Sequence, residues 1–449
     1  MLREFAKKLL KNNSGNVLVV SAVAAPVIIG FAGLSVDTGH SLYSKSQLQG
    51  ATEASALAQA ENFTASENIT IASLTYSRNL TNEIAASILI SQQDLPDGHA
   101  NVAIQSGDFE IGQWDIENEV YTPHQPGMIM NAVRVRGEMS TGRGNQIPTF
   151  FGQMFGYSPN IRSDVYAAAP LIPTFHMLNP NAAFTYFRDA SSDTDSGDIW
   201  VNSNSPIAFY SGDTGGMGSS GIFVKGGATG SLRAKVNQNV FRLPDVLANQ
   251  VEPRRPSTCV ANNYEIDTSS HVTLAPGAYC GGLRITRAGS VTFTPGIYNF
   301  LDGPFTVTAD TSVRGTDVLL HFDGPGAVLN IRDGDIDFGG RREDEFRGFV
   351  IFSSRHSTNG ALHVIRDAHA QFAGVVYVPD NILFIDHSIV NGNCHTVCLV
   401  SDRLLLLNST HLNWYPNMYL GNGPLASEPR VTPAVLEPFL RPYLIYPNG

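Results

Sequence analysis

The side chains with obvious chemical capacity fall in the C-terminal half of this chain. Asp333, Asp335 and Asp337 alternate with Gly334 and Ile336, and on a strand that alternation aims three carboxylates at one face. Such a row suits calcium, or the paired carboxylates of glycoside hydrolysis. Phe338 sits where an EF-hand loop needs glycine at its sixth position, so a solvated outer face is the better reading. Cys394, His395 and Cys398, with His387 and His411, are zinc-ligand types, but their spacing matches none of the usual structural zinc patterns. His363 and His369, in strand-like sequence, read as surface or hydrogen-bonded core residues. Gly216-Met217-Gly218-Ser219-Ser220-Gly221 has the form of a pyrophosphate loop, yet Ile222-Phe223-Val224 follows it where a helix is required. It reads as a turn. G-x-S-x-G, P-loop and H-E-x-x-H motifs are missing from the sequence. The expectation is a non-enzymatic protein with no catalytic residue, metal or cofactor.

The four cysteines, Cys259, Cys280, Cys394 and Cys398, are then read as disulfide partners, because an even count in an exported domain favours oxidation. Three connectivities are open. Cys259 and Cys280 are separated by about one solenoid coil and would lie above one another on adjacent rungs, within the roughly 4.4 to 6.8 Å a bridge needs. Cys394 and Cys398 pair only if the chain turns at Thr396.

Export is indicated by the first sixty residues. A basic stub (Arg3, Lys7, Lys8, Lys11) precedes an apolar run from Val17 to Val36, with no charged side chain between Lys11 and Asp37. About twenty helical residues at about 1.5 Å each span the roughly 30 Å hydrocarbon core of a bilayer. The run is longer than a cleaved secretory signal, and the charge bias places the N-terminus in the cytoplasm. The formal charge of −11 forms no basic stripe, so nucleic acid is not an expected partner.

Six segments follow from the pattern: a cytoplasmic stub (1–16), a transmembrane helix (17–36), a helical region (37–95), a small α+β domain (96–172), a β-helix-like domain (173–425) and a proline-rich tail (426–449), in which Pro429 to Pro442 is expected to pack along or cap the last coil. In the helical region Leu42, Leu48, Ala51, Ala54, Ser55 and Ala58 recur at spacings of three and four. The α+β domain carries β-like Val102-Ala103-Ile104, Phe109-Glu110-Ile111 and Val133-Arg134-Val135, with a short amphipathic helix expected over 147–155. Beyond Phe175, short apolar bursts alternate with Gly and Pro turns, consistent with 42 glycines and 25 prolines in 449 residues. Leu274-Ala275-Pro276-Gly277-Ala278-Tyr279 returns nineteen residues later as Phe293-Thr294-Pro295-Gly296-Ile297-Tyr298. A period near twenty is of solenoid size, and each coil buries its apolar face only when neighbours stack on it. The fold expected is mostly β: a right-handed parallel β-helix of about eight to ten coils, with a β-sandwich as the alternative.

The opening segment also carries a resemblance. Gly15-Asn16-Val17, Gly33-Leu34-Ser35-Val36-Asp37-Thr38-Gly39, Lys45-Ser46-Gln47-Leu48-Gln49-Gly50-Ala51 and Glu53-Ala54-Ser55-Ala56-Leu57-Ala58 occur in the order seen in TadG-like proteins of the Flp (tight adherence, Tad) pilus-assembly family, which this region resembles. Ala132-Val133-Arg134-Val135 and Phe150-Phe151-Gly152 are similar at a coarser level. The D-x-S-x-S metal motif of members with a von Willebrand factor type A domain is missing. The resemblance implies a bacterial inner-membrane protein, single-pass, with its bulk in the periplasm and other pilus-assembly proteins as partners. Two other readings are a surface protein that binds or degrades carbohydrate, its glycan lying near Asp333 to Asp337, and a minor pseudopilin. For prepilin-peptidase cleavage after Gly15 the fifth mature residue would be the apolar Val20 rather than the favoured glutamate, which argues for a retained tether.

Overall fold

The computed structural model describes residues 14–65, 103–416 and 441–446, apart from short loop segments within the second range. The basic stub, residues 66–102 and most of the proline-rich tail, on which several expectations rest, lie outside the described residues.

A single helix, Ser14–Ala65, runs through two environments. Val23, Val27, Ile28, Ile29, Phe31 and Leu34 are all more than half exposed, so its first part presents apolar side chains to no protein partner. It is the one helix among the described residues long and apolar enough to cross a membrane. Further along, Leu48, Ala51, Thr52, Ser55, Ala56, Gln59 and Ala60 are buried at helical spacing against a sheet. The small residues let the helix approach closely: a Cβ on Gly137 of that sheet would come 2.8 Å from the Leu48 side chain.

The sheet is antiparallel, with β1 (Phe109–Asp115), β2 (Val120–Pro123), β3 (Ala132–Met139) and β4 (Ile161–Ala168) in the order β2-β1-β3-β4. Its fifth strand, Tyr443–Ile445, comes from the far end of the chain and pairs antiparallel with β4. Ile445, 5% exposed, packs with Trp114, Ala132 and Ala168, while the stretch expected to pack along or cap the last coil lies almost wholly outside the described residues. The helix expected over 147–155 reduces to the 3-10 turn Gly152–Phe155, because Pro148 lacks an N–H and Thr149 Oγ1 donates to the Tyr157 carbonyl (2.9 Å), closing a loop instead. Ala103 and Ile104 are buried, but not in a strand.

From Phe175 to Pro416 the described chain is a parallel β-solenoid of about ten turns. Three ladders run along it, two forming the faces of a 17-stranded sheet and the third a nine-stranded sheet. Inward positions stack aromatics, among them Phe300 on Phe305 (centroids 4.9 Å) and on Phe322 (5.1 Å). The Pro-Gly-x-Tyr repeat is explained by its corner. Gly296 has φ 143°, and a Cβ there would come 2.6 Å from the Pro276 ring. Tyr279 and Tyr298 each fold back so that the hydroxyl donates to the carbonyl four residues earlier, at Ala275 and Thr294, both 2.8 Å. A polar group at the buried corner is thereby satisfied.

The coils are not stacked in chain order. The chain enters at Phe175–Met177, in the middle of the stack, and winds outward through Asp198–Val201 and Gly221–Val224 to Val236–Gln238. It then crosses to the opposite end, resumes at Ala261–Asp267, and winds back until Leu399–Leu407 pairs in parallel with the first coil, Phe175–Met177 and Thr185–Arg188. Residues 239–260 are the strap that makes the crossing, and their contacts descend the stack in order. Leu243 exchanges two hydrogen bonds with the Asn202 side chain (2.7 and 3.0 Å), and Asp245 accepts one from the Tyr377 hydroxyl (2.6 Å). Arg355 then donates to the carbonyls of Leu247 (2.9 Å) and Gln250 (3.1 Å), and Glu252 accepts from Ser354 Oγ (2.9 Å). Finally Arg255 pairs with Asp302 and Asp323, and Cys259 is bonded to Cys280 with Cα atoms 5.8 Å apart. Pro244, Pro253 and Pro256 keep the strap extended and unable to enter a ladder.

The bridge holds both the strap and the terminal coil it joins. In the chain-entropy description a loop of this length is worth about 3 kcal/mol. Replacing Cys259 and Cys280 by serine should therefore speed amide exchange in Ala261–Asp267 by about a hundredfold, measured by hydrogen–deuterium exchange, with far less effect at the central coils.

Candidate functional site: the helix clamp and the solenoid faces

Asp37 lies just past the apolar stretch of the helix and is only 8% exposed. Its carboxylate accepts three backbone N–H groups from one turn: Phe150 on Oδ1 (2.6 Å), and Phe151 (3.0 Å) and Gly152 (2.8 Å) on Oδ2. These are orphan donors at the start of the 3-10 turn, where a carboxylate is electrostatically favoured. Burial raises the Asp37 carboxyl, but the three hydrogen bonds, from Phe150, Gly152 and Phe151, outweigh it, with His40 adding to the pull, and hold it below the ordinary carboxylate range. Around the clamp the Phe151 ring packs on Gly33, leaving no room there for a Cβ, and Phe150 meets His40 edge-on (centroids 6.2 Å). The helix is thus locked to the sheet domain where its apolar part ends. An acid directly after an apolar span was visible in the sequence; its partners, more than a hundred residues away, were not.

On the solenoid, Asp335 is exposed on the nine-stranded face and meets Arg314 at 3.4 Å, while Asp333 accepts the Gly334 N–H. Asp337 shares the outward register with Asp335, between Arg314 and Gln371, and is 8% exposed. The row continues over neighbouring coils as Asn391 and Asn413, whose amides hydrogen-bond (3.1 Å). It is a long polar surface. Among the described residues no three His, Cys, Asp or Glu side chains are grouped so as to hold a metal ion. Cys394 and Cys398 are bonded to each other across a turn, Cα atoms 5.3 Å apart, which commits the thiols of the zinc-type cluster. His369 is exposed. The described part of the glycine-rich motif lies in strands Met217–Gly218 and Gly221–Val224, the latter paired with Asp198–Val201, so no helix N-terminus faces a phosphate. A cleft of about 570 Å³ on an adjoining face is lined by Asn263, Tyr264, Glu265, Arg284, Asn330 and Arg332 among others.

Three histidines are buried, one in the solenoid core and two on outward positions covered by the strap. His363 takes an inward position between Leu329 and Leu383 and is 1% exposed; its Nδ1 accepts the Leu329 N–H (3.0 Å), so Nε2 carries the proton toward Ser353 Oγ (3.0 Å). His321 meets Asn299 (2.7 Å), and His176 meets Asn202 (3.3 Å). Burial pushes all three down to about 4. His176 and His321 escaped the sequence reading, because they alternate with the core residues Phe175, Met177, Leu320 and Phe322 and so point outward, where only the strap that crosses them accounts for their burial. Arg355 escaped it too: its guanidinium lies over the Tyr377 ring (5.1 Å) and reaches the strap, a partnership that no local pattern encodes.

Comparison with known families locates the matches on the helix and the small sheet. Residues 15–60 match the family described as "Putative Flp pilus-assembly TadE/G-like", and residues 38–167 match "Putative Tad-like Flp pilus-assembly". The resemblance read from the opening segment is borne out. No curated protein and no solved structure matches the chain.

Two outcomes follow. Asp37→Asn removes the charge that three N–H groups share, so exchange of the 150–152 amides should rise by about tenfold or more in the full chain. Because the Asp37 pKa is depressed, the clamp is complete above the ordinary carboxylate range and is lost as pH falls through the lowered value. The histidines act at higher pH. Their folded values lie below the ordinary 6.5, so the stability they carry is full above 6.5 and falls toward pH 4, opposed by Asp198, which burial pushes up to about 7. His363→Gln should reduce the pH dependence of solenoid stability in this window by up to about 1.4 kcal/mol per pH unit, read from denaturant midpoints at several pH values.

Proposed function

We propose that this chain is a membrane-anchored, non-enzymatic accessory of Flp/Tad pilus assembly, its solenoid standing outside the cytoplasm as a spacer or docking surface for other pilus-assembly proteins. The observation that carries the reading is the coincidence of the two pilus-assembly matches with one physical unit: the helix that leaves the apolar stretch and the sheet onto which Asp37 clamps it. A periplasmic position is supported by the four cysteines, all paired, since such bonds persist in oxidising compartments. It is also supported by the basic residues before the apolar run and their absence immediately after it. The structural use of His176, His321 and His363 favours a scaffold over a catalyst, and a solenoid face of nine parallel strands suits contact with an extended partner.

A surface glycan is the second reading, and the cleft beside Tyr264, which combines amide, carboxylate, guanidinium and aromatic groups, is the observation in its favour. Glycan-array binding by the full chain would support it. For the main reading, deletion of the gene should lower the number of surface pili seen by electron microscopy and weaken adherence, and re-expression of the chain should restore both. Unchanged pilus number and adherence in the deletion strain would refute it. N-terminal sequencing of the mature protein should recover a chain that retains the basic stub, whereas a start at Asn16 would mark a pilin-like subunit.

A further inference from the structure

The loop between β3 and β4 has a surface that the clamp does not explain. Phe150, Met154 and Tyr157 are 70, 78 and 63% exposed, three large apolar or aromatic side chains within eight residues. From Gly144 to Ile161 no residue is charged, and the flanking Arg143 and Arg162 are turned to acids of the domain, Arg143 to Asp108 (2.6 Å) and Arg162 to Glu138 (3.3 Å). The loop is held rigidly, by Asp37 at its N–H groups and by Thr149 across its neck.

Its position along the helix identifies what those side chains meet. Phe151 packs on Gly33, which lies inside the apolar stretch that ends at Val36, and Phe150 packs on His40, just beyond it. At 1.5 Å per residue Gly33 is about 4.5 Å inside that end of the stretch. A bilayer that accommodates the helix up to Val36 therefore already contains the Phe151 ring. We infer that the 150–157 loop is a second membrane contact, its exposed Phe150, Met154 and Tyr157 seated in the lipid interface of the outward leaflet beside the helix. Aromatic and flexible apolar side chains prefer that depth, and the missing charges remove the main cost of placing a loop there. The occupant is lipid, because the same slab of hydrocarbon surrounds the helix to which the loop is bolted. With two points of contact the sheet domain would be fixed in tilt as well as in depth, and the solenoid would project at a set angle instead of swivelling on a single helix.

This inference rests on the anchored reading, and the test separates the two. Every described cysteine is disulfide-bonded, so an added cysteine is a single labelling site. Met154→Cys, Ile29→Cys and Arg314→Cys forms of the full chain would each carry a nitroxide and be reconstituted at high lipid-to-protein ratio in phosphatidylethanolamine and phosphatidylglycerol vesicles. The readout is the ratio of collisions with oxygen to collisions with a water-soluble nickel chelate. The label at 154 should show a ratio several-fold above that at 314, on an exposed solenoid face, and approaching that at 29. If 29 is lipid-like while 154 matches 314, the loop inference alone is overturned. If 154 is shielded from both reagents, the loop meets protein rather than lipid, and the inference again fails. If 29 also matches 314, the helix is not in the bilayer and the anchored reading falls with it.

Discussion

The structure turns on the seam at which Leu399–Leu407 pairs with Phe175–Met177 and Thr185–Arg188. A coil cannot bury its apolar face alone, and here the first coil of the chain finds its neighbour in the last. The corner strengthens the join: the N–H groups of Cys398 and Leu399 both donate to the Thr174 carbonyl, at 2.8 and 3.1 Å, and the Cys394–Cys398 bond shapes the turn that presents them. Asn179 adds a hydrogen bond to Asp402 (2.7 Å). Without the seam there would be two short stacks with four open ends. With it there is one core, and the strap from 239 to 260 follows as a necessity, since a chain that enters mid-stack must cross to the opposite end before it can wind back.

The strap converts that necessity into cohesion. It touches coil after coil through different chemistry at each step: the Asn202 amide, the Tyr377 hydroxyl, the Arg355 guanidinium, the Asp302 and Asp323 carboxylates, and at last a covalent bond. A repeat stack held only by neighbour contacts frays from its ends. Here a contact at one end is tied to the other. The second junction, between helix and sheet, obeys a similar economy. One carboxylate collects three N–H groups, and Tyr443–Ile445 ties the end of the described chain to the same sheet, on the strand that leads into the solenoid.

Much of this was legible from residue order. The apolar stretch before Asp37, the three- and four-residue spacing from Leu48 to Ala60, and the Pro-Gly-x-Tyr return each report a local constraint: hydrocarbon thickness, one helix face, one coil corner. Local periodicity expresses such constraints directly. The short helix expected over 147–155 is not formed, because its apolar residues serve separate ends: Phe151 packs on Gly33 of the long helix, while Phe150 and Met154 stand exposed on a loop.

By itself, then, the sequence determined the long apolar helix, the class of repeat, the pilus-assembly resemblance of the first sixty residues and the pool of disulfide partners, because each depends on neighbours within about one coil or a few helical turns. Only the tertiary structure decided that the coils are threaded out of order, that Asp37 is a buried acceptor, that His363 faces the core while His176 and His321 are buried beneath the strap, and that Tyr443–Ile445 returns to the first sheet. Those outcomes depend on the register between strands and on which surfaces remain open when distant segments meet. A ladder accepts any neighbour whose apolar row matches, so the order of stacking is a property of the whole assembly and leaves no mark on any single coil.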